Sequence, residues 1–361
     1  MKGPASVSKS PSSGASSSSP ASKFGEFDFI GQIRQRAGSA AGGPVLGIGD
    51  DCAILKQRSG RESVLTADLL VEDIDFRLDY TPPNLLGHKA LAVSLSDVAS
   101  MGARPGWAMI SVGMPGGLWR TRFLDRFYDG FFELANRIGV SLIGGDISRT
   151  PDRIVIDSIV IGEAAQHTSL RRSGARPGDV IFVSGALGGA AAGLRLLEDG
   201  VRWSKRKTRS IDGRARETLL MRQLAPEPRC RLGTWLGRRG IVTAMIDISD
   251  GLSSDLSHIC ESSAVGAIID QSKIPIESAL SVLTTEMDEQ LEMALNGGED
   301  FELLFTVSAD KASKIKKSYE GIPITEIGRI TANSGEMLLQ TADGSSRKLR
   351  IGGFEHFRKQ I

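Results

Sequence analysis

The chain has 361 residues, 40% hydrophobic and 24% charged, ordinary for a globular protein and long enough for two domains with cores of their own. With 44 Lys+Arg against 43 Asp+Glu, its overall charge gives no electrostatic case for nucleic acid or an anionic membrane. Cys52, Cys230 and Cys260 are too widely spaced for a zinc pattern or disulfide framework and fit a reducing compartment; His88, His167, His258 and His356 lack ligand spacing; no apolar run spans a bilayer.

Residues 1–23 are mostly Ser, Ala, Pro, Gly and Lys. Such a segment buries too little apolar surface to offset its ordering entropy, so it is expected to be a disordered tail. Phe27, Ile30 and Ile33 recur at helical spacing, and Gly42-Gly43-Pro44 ends that helix. Val45–Leu55 then reads VLGIGDDCAIL, with Gly47 and Gly49 ahead of the adjacent carboxylates Asp50 and Asp51. Adjacent acids are costly to desolvate, and a fold tolerates them in water or around a cation such as magnesium. An ordinary acidic turn explains this stretch equally well, but acids at glycine-rich strand exits recur downstream.

Ser63–Ala67 reads as a strand with Asp68 at its end. Asn84 is placed to cap a helix running to Met101, closed by Gly102. On it Lys89, Val93 and Asp97 share one face, and small apolar neighbours mark the helix as buried. A buried carboxylate needs a partner, and taken alone Lys89 is a better candidate for Asp97 than a metal. Strands are expected at 107–112, 140–144 and 153–162, with a phenylalanine-rich helix at 121–138. Gly145 and Asp146 follow the second of these strands.

Arg171 and Arg172 precede the turn Arg176-Pro177-Gly178-Asp179 and either grip phosphate or lie in solvent. Val180–Ser184 reads as a strand, and the glycine- and alanine-rich Gly185–Gly193 opens a helix without the lysine of a P-loop. Residues 199–217 read as a basic surface loop, and Pro226 and Pro228 bracket a helix start. Val242–Ile246 is a strand left by Asp247-Ile248-Ser249-Asp250-Gly251, and a helix follows from Leu252 to Cys260. Gly297-Gly298-Glu299-Asp300 leads into a strand at 301–307, with further strands near 325–330 and 337–340.

GIGDD, TADLLVEDIDF, KALAVSLSDVASMGARP, GGD, RRSGARPGD, IDISDGLSSDL and GGEDFEL occur in this order. The series closely resembles the thiamine-monophosphate kinases of the aminoimidazole-ribonucleotide-synthetase-like superfamily, from Phe24 to Phe357. Singly the motifs are weak; in ordered combination they are specific. The resemblance implies an α+β, two-domain fold: an N-terminal domain over 24–165 that binds ATP and magnesium and dimerises through its sheet, and a C-terminal α+β domain over 166–361 that completes the cleft. It implies a cytoplasmic homodimeric kinase moving the γ-phosphoryl of ATP onto thiamine monophosphate, with several Mg²⁺ ions and no assigned general base. Alternatives are a sibling ATP-dependent synthetase or ligase and an inactive nucleotide-binding module.

Carried over residue by residue, Asp51, Thr66, Ala67, Asp68, Asp97, Asp146, Asp247 and Asp250 match metal positions, Ala67 through its carbonyl. Gly145, Asp146, Arg172 and Ser249 match ATP positions. Asp75, Glu299 and Phe354 match substrate positions, Glu299 to attract the cationic ring and Phe354 to stack on it. Two departures stand out. Asp75 replaces a common histidine and would repel a substrate phosphate unless magnesium intervenes. Phe354 replaces a common tyrosine and loses its hydroxyl.

Overall fold

A computed structural model of the chain describes residues 26–37, 58–205 and 209–353, with the isolated positions 44, 48, 53, 55 and 56. The tail at 1–23, the pair Asp50-Asp51 and Phe354 lie outside the described residues.

The first half comprises α1 (Glu26–Ala37), β1 (Arg61–Val71), α2 (Pro83–Ser100), β2 (Arg104–Pro115), α3 (Gly116–Trp119), α4 (Phe123–Ile138), β3 (Ser141–Thr150) and β4 (Val155–Ala165). Its four strands form one sheet in the order β1-β4-β2-β3. β1 runs antiparallel to β4, so Thr66 faces Val160 and Asp68 faces Ser158. β1 is longer than its apolar core, which places Asp68 within the strand rather than at its end. Gly145 and Asp146 likewise sit inside β3.

Helix α2 starts at Pro83 without a side-chain cap. The first-turn proline, with its missing N–H and fixed φ, replaces the expected Asn84 cap. Fourteen of its eighteen residues are buried, including Leu86, Leu91 and Leu95 with no exposed surface. Burying one leucine contributes about 1.5–3 kcal/mol, so packing rather than helix propensity holds α2 in place. It lies unusually close to α4: a Cβ on Gly87 would come 1.9 Å from the Phe127 carbonyl oxygen, and one on Gly130 would come 1.7 Å from that of Asn84.

The second half holds β5 (Val180–Ser184), α5 (Gly189–Glu198), α6 (Ile211–Leu224), α7 (Cys230–Arg239), β6 (Val242–Asp247), α8 (Leu252–Ser263), β7 (Gly266–Asp270), α9 (Met287–Asn296), β8 (Leu303–Val307), α10 (Ala309–Ala312), β9 (Ser318–Tyr319), β10 (Ile322–Thr331), β11 (Met337–Gln340) and β12 (Ser346–Lys348). The main sheet runs β12-β11-β7-β10-β5-β8-β6, with β9 paired to β10. The expected loop over 199–217 is cut short because α6 begins at Ile211, where Ser210 accepts the Gly213 amide. Strand β7 and helix α9 are additions to the elements expected from sequence.

Helix α2 is where the halves meet. Ser96 on it donates to Asp247 at the end of β6, and Lys89, two turns earlier, pairs with Glu299. One core cluster runs through both halves, joining Leu91 and Leu95 to Leu232, Met245 and Phe305.

Candidate functional site

Three carboxylates from three elements converge at this junction: Asp68 on β1, Asp97 on α2 and Asp247 at the end of β6. Each is held by a hydroxyl. Ser94 Oγ donates to Asp68 Oδ2 at 2.7 Å, Thr66 Oγ1 to Asp97 Oδ2 at 2.5 Å, and Ser96 Oγ to Asp247 Oδ2 at 2.6 Å. No salt bridge reaches any of the three among the described residues. The expected pairing of Asp97 with Lys89 does not form; the Lys89 ammonium turns to Glu299 Oε1 at 2.7 Å.

The electrostatic consequence is uniform. Burial, then the charge of Asp97, raises the Asp68 carboxyl to about 6. The same two causes raise Asp247 to about 7. Burial also raises Asp97, against the pull of the Thr66 hydroxyl and the Arg172 charge. Desolvation and mutual repulsion therefore both oppose the ionised forms. Arg172, though exposed, is near enough to act on Asp97.

The turn after β6 brings Ser249 and Asp250 beside this group. Its amides from Ser249, Asp250 and Gly251 donate to Asp255 Oδ2 at 3.1, 3.2 and 3.1 Å. Gly251 has φ 120°, a backbone angle that favours glycine. Burial and the charges of Asp247 and Asp250 raise Asp255 to about 8. Asp250, Asp255 and His258 each offer a ligand atom within 4.8 Å of the others.

The GGEDFEL segment closes the other side. The Glu299 amide donates to the Ser249 carbonyl at 2.7 Å, and the Phe301 amide to that of Ile248 at 2.8 Å. Glu299 and Phe301 adopt φ of 55° and 49°, left-handed for residues with side chains. Both Glu299 oxygens are engaged, one by Lys89 and the other by Gln223 Nε2. Asp300 accepts the amides of Gly188 and Ala190 at the start of α5. Glu302, with no exposed side chain, is gripped by Arg229 and Arg222 and by Ser184 Oγ.

The remaining sequence candidates divide. Asp75 closes a turn: the Val71 amide donates to Asp75 Oδ2 at 2.8 Å, and the Asp75 amide returns to the Val71 carbonyl at 2.9 Å. Ala67 points to the exposed face of β1, between Thr66 and Asp68. Asp146 is not brought into the cluster within one chain. Ile147 beside it packs on the core, so strand alternation sets Asp146 on the opposite face, where its Oδ1 accepts the Ile147 amide. Ser94, Ser96 and Asp255 lie inside the motifs quoted above but carried no role of their own there, and Lys89, expected beside Asp97, joins the site through Glu299 instead.

As a donor set, the cluster suits a hard divalent cation: hydroxyl-held carboxylates with no cationic side chain paired to them, one oxygen of each free of that hydroxyl.

Family models for the AIR synthase related proteins match the chain twice, the N-terminal domain over residues 49–164 and the C-terminal domain over 176–339. The thiamine-monophosphate kinase of Bacillus subtilis is 36% identical over 92% of this chain and 99% of its own length. That of Escherichia coli K12 is 38% identical over 92% and 98%. The chain belongs to the thiamine-monophosphate kinase family. Among solved structures, the kinase of Stenotrophomonas maltophilia matches with a TM-score of 0.78 at 38% identity, covering 89% of this chain and 98% of that one. A complex described as AaThiL with AMPPCP and TMP matches with a TM-score of 0.70 at 30% identity, covering 92% and 97%. Hydrogenase maturation protein HypE, 18% identical with a TM-score of 0.70, shares the fold alone. Within this two-domain α+β kinase family, the cluster between the halves is the natural candidate for the reaction centre.

Proposed function

We propose that this chain transfers the γ-phosphoryl group of ATP to thiamine monophosphate, giving thiamine diphosphate and ADP. A terminal phosphate oxygen of thiamine monophosphate forms the new P–O bond, and the bond from the γ-phosphorus to the β-phosphate oxygen breaks. The acceptor is already anionic, so a general base has little to do. Catalysis lies in positioning two anions and neutralising their charge.

The observation that carries this reading is the convergence of Asp68, Asp97 and Asp247 without a cationic partner. Asp68, Asp97, Asp247 and Asp250 would hold Mg²⁺, with Thr66 fixing Asp97 and with Asp51 and Ala67 as family-matched additions. Bound there, Mg²⁺ supplies the positive charge that lets two phosphate groups approach. Arg172, together with Gly145, Asp146 and Ser249, is assigned to ATP. Glu299, Asp75 and Phe354 are assigned to the substrate. Because Lys89 and Gln223 occupy both of its oxygens, Glu299 serves as a fixed wall of the pocket more than as a free counter-charge.

The biological unit in this reading is a homodimer. The outer face of the first sheet carries Leu65 at 63% and Leu69 at 59% exposure, an apolar stripe that a second copy would cover. Asp146 lies on that same outer face, so pairing of two sheets would carry it toward the partner. The halves divide between β4 and β5, with 24–165 and 166–361 as domains. No helix among the described residues is long and apolar enough to cross a membrane. A cytoplasmic location belongs to the same proposal and follows from the family resemblance, not from that absence.

Purified protein with Mg-ATP and thiamine monophosphate should form thiamine diphosphate. Turnover only with a formylglycinamidine-type substrate would favour a sibling synthetase, and stabilisation by Mg-ATP without product an inactive binding module. Sedimentation should give a dimer that Leu65→Glu dissociates; a monomeric wild type would remove the dimer from the reading.

A further inference from the structure

We infer that Asp255 is a positioning residue for nucleotide binding, fixing the turn that carries Ser249 and Asp250. The inference rests on the kinase reading above.

Asp255 is 1% exposed. One of its oxygens, Oδ2, accepts three successive amides, those of Ser249, Asp250 and Gly251, all within 3.2 Å. Successive backbone amides opening a helix form a concave donor set that ordinarily attracts a phosphate. Here the chain's own carboxylate fills it. Phosphate oxygens arriving from ATP therefore find these amides taken and must be met by other groups, Arg172 and the carboxylate-bound cations among them.

The turn is held from its other side as well. The carbonyls of Ile248 and Ser249 accept the amides of Phe301 and Glu299. Amides gripped by Asp255 and carbonyls gripped by the 299–301 segment leave the backbone at 248–251 little freedom. Asp250 follows Ser249 directly, so any slackening of the amide side moves both groups relative to Asp97 and Asp247. Asp255 touches neither nucleotide nor substrate in this account and acts only through the turn.

The test compares Asp255→Ala with Asp255→Asn, which keeps a carbonyl oxygen able to accept amides. Calorimetric titration of the full-length protein with Mg²⁺ and a non-hydrolysable ATP analogue gives affinity independent of turnover. Asp255→Ala should weaken that affinity about tenfold or more while KM for thiamine monophosphate changes little, and Asp255→Asn should recover most of the loss. A merely structural residue would lower the melting temperature and leave affinity per folded molecule unchanged, which would overturn the inference. Should Asp255→Ala not fold, hydrogen exchange on the wild type decides. The 249–251 amides should be protected without nucleotide, and rapid exchange there would reject the positioning role. Loss of kinase activity in the wild type itself would instead count against the proposed function.

Discussion

Two groups of acids meet at the junction of the halves, and they are treated in opposite ways. In the 299–302 segment every carboxylate has a donor or a cation assigned to it. Burial alone would raise Glu302, yet Arg229 and Arg222 overcome it and hold its carboxyl below the usual range. In the cluster around α2, Asp68, Asp97 and Asp247 receive one hydroxyl each, and all three are pushed upward. Burial is similar in kind; the difference lies in the counter-charge. A fold that pairs arginines with one set of acids, and gives the other no ion pair among the described residues, has left the second set for a cation from outside.

The largest effect should come from neutralising one member of that second set. Asp97→Asn keeps an acceptor for Thr66 and removes a charge, so turnover should fall about a thousandfold or more. Stability of the metal-free protein should hold or rise, because a desolvated repulsive charge is gone. Steady-state kinetics beside thermal unfolding without Mg²⁺ check both halves. Near-normal turnover, or a collapse of the metal-free fold, would erase the contrast between the two groups.

Much of this arrangement was legible in the residue order, and the remainder had physical reasons for staying hidden. The strands at 180–184 and 337–340 match their observed bounds, because short apolar runs between turn residues have little room to shift. Asp97 stood out as an acid on a buried helix and Asp247 as an acid at a strand exit. Their neighbours did not: Ser94 and Ser96 look like unremarkable small residues in a packed helix, and their role depends on strands from other parts of the chain. The assignment of Lys89 to Asp97 rested on helical spacing alone. Spacing puts two side chains on one face without saying what the opposing half offers, and Glu299 lies 210 positions further on in the sequence. Asp255 did carry a local signal, an acid in the first turn of a helix, where a negative charge suits the positive end of the helix dipole. The end-of-strand position expected for Asp68 failed because β1 continues past its apolar core along the antiparallel β4.

The second effect tests the fully partnered group. Glu302→Gln leaves Arg229 and Arg222 buried with one formal counter-charge fewer between them, Glu277 still serving Arg222. Breaking a buried pair from one side costs about 3–5 kcal/mol. Denaturant unfolding should register that loss, while turnover per folded molecule stays within a few-fold of wild type. A variant as stable as the parent would mean that the arginines find other partners, and the two groups would then differ less than their geometry suggests.

The smallest effect separates neighbours inside the partnered group. Asp300 has amide donors but no arginine of its own, and burial raises it from 3.8 to about 7 despite the amides of Gly188 and Ala190. A carboxyl whose folded value is raised contributes stability in full below its unfolded value, and that contribution is lost as pH climbs through the folded value. For Asp300 the loss therefore falls between about pH 4 and 7. Asp300→Asn stays neutral at every pH and gives up one acceptor, a constant penalty. Its melting temperature relative to wild type should improve by a few degrees as pH rises from about 5 to 8. Glu302, lowered rather than raised, pulls the opposite way: its contribution is present at neutral pH and lost in acid. A wild-type to Asp300→Asn gap that stays constant with pH would show that the Gly188 and Ala190 amides suffice as counter-charge for Asp300.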